Sequence, residues 1–217
     1  MKEKGEALDN LNKRWLNLWE RAQAAGNAQE VFKELTARYR EPHRFYHTLA
    51  HLEDCLSKFE EVNHLVLEKE AVEFAIWFHD AVYVPGAKDN EEQSAALAKE
   101  ALKNALLPEV LGRRVASLIL ATKHSFDPKD FDTQILVDID LSILGETKEK
   151  FDQYEAQIRQ EYVSLSDEVF RQGRLRILKT FLERSNLYST QFFHQKYEVQ
   201  ARRNIAESIL NLNAKLS

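Results

Sequence analysis

Apolar residues recur at intervals of three and four along nearly the whole chain, the pattern of helices that each bury one face. Leu8, Leu11, Trp15, Leu18 and Trp19 form the first stripe, and Val31, Leu35 and Tyr39 a shorter second one. "REPHRF" breaks the pattern at Pro42. A third helix is predicted from about Phe45, with Phe45, Leu49, Leu52, Leu56 and Phe59 on one seam. The fourth, from about Glu68 to Asp80, is apolar nearly all round, which marks a buried helix. After "VPGAK" a helix is expected from near Asp89 to about Leu106, and Pro108 suits the first turn of the next, through "VLGRRVASLILATKH". "FDTQILVDIDLSILG" reads as a shorter helix stopped by Gly145. Three more are expected near 147–163, 166–184 and 190–214.

Composition agrees with this pattern. Only 6 Gly and 4 Pro leave too few turn formers for a β-rich fold, and the 30% of charged residues sits among abundant Leu, Ala, Glu, Lys and Gln. The expected fold is all-α, one compact bundle over residues 1–217, since no linker, repeat or low-complexity tract divides it. A net charge of −5 gives no basic footprint for nucleic acid. "MKEKGEALDNLNKRW" lacks the apolar core of a secretory signal, and no later stretch reaches the length of a membrane span. Cys55, the single cysteine, excludes an internal disulfide, and there is no CxxC pattern. A soluble cytoplasmic protein is expected, with neither nucleic acid nor membrane as partner.

Against this background a few polar residues stand out. "AIWFHDAVY" places His79 and Asp80 at the end of an otherwise apolar run. Burying Asp80 unpaired would cost several kcal/mol, so it needs either an ion pair or a divalent metal shared with its neighbour. In "RFYHTLAHL", His47 and His51 are four residues apart, so on a helix they would lie about 40° apart on one face. That face could be an ordinary polar one, as Asp54 and Lys58 suggest, or half of a metal site. His124 in "ATKHSFDP" could be a cation at a helix C-terminus, and Lys123 a solvated side chain. Asp138 and Asp140 interrupt an apolar run and point about 200° apart, so at most one faces a given site. Asp89 and Glu92 have the spacing of a capping box.

Taken in order, His47, His79-Asp80, His124 and Asp140 make an H…HD…(H)…D series. The chain resembles the HD-domain superfamily of metal-dependent phosphohydrolases. "RFYHTLAHL", "WFHDAVY", "DNEEQSA", "ATKH" and "DIDLSILG", with "GRLRILKTFLERSNLYST" and "EVQARRNIAESIL", resemble its branch of unassigned substrate. The resemblance runs from about residue 44 to the C-terminus and implies an all-helical fold, with residues 1–43 as N-terminal helices packed on a metal-binding core. It implies His47, His79, Asp80 and Asp140 as metal ligands, Asp140 fitting the last ligand better than Asp138. It adds His124 as a second-ion contact, and His51 as a ligand, an outer partner or a substrate contact. Arg44 and Lys123 become candidate phosphate contacts, and Asp89 and Glu92 candidate catalytic carboxylates. The implied cofactor is a divalent ion (Mn, Co, Fe, Zn, Ni or Mg), and the implied partner a small phosphorylated substrate; a homodimer is one candidate assembly, which the sequence leaves open. The competing readings are a helical module that binds a nucleotide or a partner without turnover, and a di-iron oxygenase on the same scaffold.

Overall fold

The computed structural model describes residues 2–125 and 128–214; Phe126 and Asp127, in the block "ATKHSFDP", lie outside them. Among the described residues every regular element is helical and there is no strand. The all-α expectation holds. None of these helices is long and apolar enough to cross a membrane. The chain divides into two compact units, residues 1–127 and 128–217.

The first unit contains α1 (Lys2–Arg21), α2 (Ala28–Arg38), α3 (Leu49–Val62), α4 (Lys69–Phe78), α5 (Asn90–Asn104) and α6 (Glu109–Ala121). Helix α4 is its centre: every residue from Ala71 to Phe78 is buried, as its nearly all-round apolar composition predicts. Trp15 of α1 packs on Phe74 and Trp77, with ring centroids 5.9 and 5.2 Å apart. Glu73 is the one charge within that buried run. Arg14 and Arg21 of α1 both pair with it, which offsets its desolvation and fixes α1 against α4.

One boundary and one cap differ from the expectations. The third helix begins at Leu49, not near Phe45, because Thr48 is its N-cap and accepts a hydrogen bond from Ala50 N. His47 therefore lies before the helix, and the expectation that His47 and His51 share one helical face is corrected. Asp89 is the N-cap residue of α5 but makes no capping bond with its side chain. Its Oδ2 accepts instead from Gln93 Nε2 at 2.9 Å. The capping box is absent, and Asn90 and Ser94 secure the preceding loop by paired bonds to the backbone of Val84 and Val82.

The second unit contains α7 (Phe131–Leu141), a 3-10 turn (Ser142–Gly145), α8 (Lys148–Glu161), α9 (Asp167–Glu183) and α10 (Gln191–Ala214). Asp138 is fully buried on α7 and accepts from Ser189 N, Thr190 N and Thr190 Oγ1 at 2.8, 2.7 and 2.6 Å. Glu198 accepts from Leu187 N and Tyr188 N in the same way. Two carboxylates thus hold the chain that enters α10. Gly145 serves close packing: a Cβ there would stand 2.5 Å from Tyr197 Cβ on α10.

Candidate metal centre

The end of α4 carries the chemistry. His79 is the C-cap residue, with its N–H donating to Ala75 O at 2.8 Å, and its imidazole is 2% exposed. Nδ1 lies 2.8 Å from Ile76 O. A carbonyl can only accept, so Nδ1 carries a proton, and Nε2, which hydrogen-bonds Asp80 while protonated, would present a lone pair once an ion displaces that proton. That is the tautomer a metal ligand needs, held by a backbone bond of the kind that orients ligating histidines.

His51, buried on the first turn of α3, brings its Nε2 to 3.1 Å from His79 Nε2. Asp80 Oδ2 is 3.1 Å from His79 Nε2 and 3.5 Å from His51 Nε2. Two ligands about 2.1 Å from one ion are about 3.0 Å apart at right angles and about 3.4 Å apart at the tetrahedral angle. The triangle of three donor atoms has the dimensions of one face of a coordination sphere, so the residues fit a divalent ion. Cys55, one turn after His51, adds a fourth donor, of a third type: one ligand atom each from His51, Cys55 and His79 lies within 4.8 Å of the others. This buried group could hold a metal ion.

Electrostatics match the geometry. Burial would raise the Asp80 carboxyl, but His79, then His47, with hydrogen bonds from His51 and His79, hold it well below the usual carboxylate range. It is therefore an anion poised to ligate. Tyr39, whose hydroxyl donates to Trp77 O at 3.2 Å, is pushed up to about 12, chiefly by burial, and stays a neutral donor.

The other expected residues fall into distinct places. His47 stacks on Tyr83 with centroids 4.0 Å apart, and its ring centroid is 5.9 Å from that of His51. It borders the donor triangle and acts on the Asp80 charge. Arg44 is buried, with its guanidinium between the rings of Tyr39 and Tyr83. Its donors go to Glu41 Oε2 (3.0 Å), His47 O (3.2 Å), Asp80 O (2.6 Å) and Ala81 O (3.2 Å). It ties the His47 segment to the His79–Asp80 segment.

Lys123 and Glu92 form an exposed ion pair, with Lys123 also donating to Lys88 O at 2.7 Å. Their hydrogen bond, the first cause for each, lowers the Glu92 carboxyl and raises the Lys123 ammonium. His124 sits three residues beyond α6 in the left-handed region, φ 54°. Asp140 lies half-buried as the next-to-last residue of α7 in the second unit, while Asp138 is committed to Ser189 and Thr190.

Cys55 was not foreseen as a site residue. Its signal was its place four residues after His51, which on a helix puts both side chains on one face. Comparison with known proteins adds no name: no family model, no curated protein and no solved structure matches the chain.

Proposed function

We propose that the protein is a metal-dependent phosphohydrolase of the HD type, acting on a small phosphorylated substrate such as a nucleotide. The observation that carries this reading is the convergence of His51 Nε2, His79 Nε2 and Asp80 Oδ2 within 3.1–3.5 Å at the end of a buried helix. His79-Asp80 is also the pair on which the resemblance turns. A divalent ion held there would supply an acidified water and charge compensation for a phosphoryl group.

The chain's own residues prepare that chemistry. Ile76 O fixes the His79 tautomer, and His79 and His51 keep the Asp80 carboxylate ionised. Arg44 sets the spacing of the two backbone segments that carry His47 and Asp80. Lys123 would meet a substrate phosphate by exchanging Glu92 for it, a low-cost step for an exposed pair. Arg44 would meet one only by abandoning three carbonyls, so it acts as a positioning residue in this reading.

The test is metal content by elemental mass spectrometry on protein purified without chelator or affinity-tag metal, followed by a phosphate-release screen over nucleotides and sugar phosphates. Near-stoichiometric metal is expected in the wild type and its loss in folded His79→Ala and Asp80→Ala. From the resemblance, Asp140→Ala is expected to lower metal content as well. No metal after incubation with Mn²⁺, Co²⁺ or Fe²⁺ would sink the proposal.

One observation favours a second reading. Arg44 and Lys123, the side chains best suited to a phosphate, both have protein partners. A nucleotide-binding module without turnover would show a loaded metal, nucleotide binding and no released phosphate.

A further inference from the structure

The reaction proposed above gives Cys55 no part, yet the fold places its sulfur beside the donor triangle. We infer that Cys55 ligates the same ion as a thiolate, so that the centre selects Zn²⁺, Fe²⁺ or Co²⁺ over Mn²⁺ and Mg²⁺; this rests on the metal reading of the site. Cys55 is 2% exposed, and Sγ stands 3.7 Å from His51 Nε2. A sulfur about 2.3 Å and a nitrogen about 2.1 Å from one ion, at the tetrahedral angle, are about 3.6 Å apart. The sulfur is also 3.8 Å from His51 Nδ1, about equidistant from the two ring nitrogens. Ligation turns the thiol toward the Nε2 side and releases its proton to solvent as the sulfur–metal bond forms.

The surroundings support a ligand over a filler. Leu52, Leu56 and Phe59 of α3 are buried like Cys55, and apolar packing alone would be served there by alanine or valine. His51 and Cys55 are held on one face of the same helix, so the pair is preorganised without a loop to order. A soft thiolate added to two imidazoles and a carboxylate shifts preference away from the hard cations, which favour all-oxygen sets.

The experiment is cobalt substitution of the full-length protein, kept reduced, with absorption spectra of the wild type, Cys55→Ser and Cys55→Ala. Circular dichroism confirms that each variant is folded. The expected result is a sulfur-to-cobalt charge-transfer band in the near ultraviolet of the wild type. Both variants should lose it while keeping the weaker visible bands of bound cobalt. Competition should show the Zn²⁺-over-Mn²⁺ preference falling at least tenfold in Cys55→Ala. Visible cobalt bands with no charge-transfer band in the wild type would overturn the cysteine assignment and leave the metal centre standing. No cobalt spectrum at all would overturn both.

Discussion

Arg44 offers the sharpest separation between a residue that builds the site and one that touches substrate. Its side chain is fully buried and serves Asp80 O, Ala81 O, His47 O and Glu41, with aromatic rings on both sides. Truncation to alanine leaves three carbonyls short of a donor, each worth about 1–3 kcal/mol where water cannot replace it. Loss of the two cation–π contacts adds about 1 kcal/mol. These effects share one side chain and do not add in full, so Arg44→Ala is expected to cost about 3–5 kcal/mol. Arg44→Lys keeps the charge but loses the fork that spans Asp80 and Ala81, and about half of that cost should remain. Equilibrium urea unfolding measures both. Zinc affinity, measured on the folded fraction, should fall as well, because the His47 and Asp80 segments lose their common anchor. A stability loss under about 1 kcal/mol, together with a selective loss of phosphate binding, would refute the reasoning and return Arg44 to the substrate.

Three further outcomes are expected. Burial raises the Asp138 carboxyl to about 6 against the hydrogen bonds from Thr190 and Ser189, so the native state keeps a proton that the unfolded chain loses near 3.8. Stability should therefore fall as pH rises from about 4 to about 6 and level off above, a slope seen in Tm against pH and missing in Asp138→Asn. At neutral pH, Asp138→Ala should cost about 3 kcal/mol in urea unfolding, since three donors from Ser189 and Thr190 lose their acceptor; a loss within experimental scatter would contradict that account. Gly145→Ala should lower Tm clearly, because its Cβ would fall 2.7 Å from Tyr197 O, a backbone atom that cannot swing aside; an unchanged Tm would mean that α10 yields at no cost.

Much of the secondary structure was legible in the chain. Stripes at three and four specify helices locally, and α4 declared itself buried because no face of it was polar. His79 and Asp80 were conspicuous for the same reason. Boundaries are less legible: the apolar Phe45 extends the α3 seam, while the Thr48 cap and the contacts of Arg44 start the helix four residues later. Gly145 was read as a stop, yet the backbone of Tyr197, 52 positions along the chain, is what requires it.

What the sequence determined by itself is the helical class, the order of the elements and the presence of histidine and carboxylate where water is scarce. Those follow from periodicity and desolvation, which act over one or two turns. Tertiary structure decided which of these groups meet. It brought His51 to His79 across 28 positions, placed Cys55 beside them, and gave Arg44 to backbone carbonyls 36 and 37 positions away. Donor geometry at 3 Å depends on how helices pack, and packing is set by contacts between side chains far apart in the chain, which no local pattern encodes.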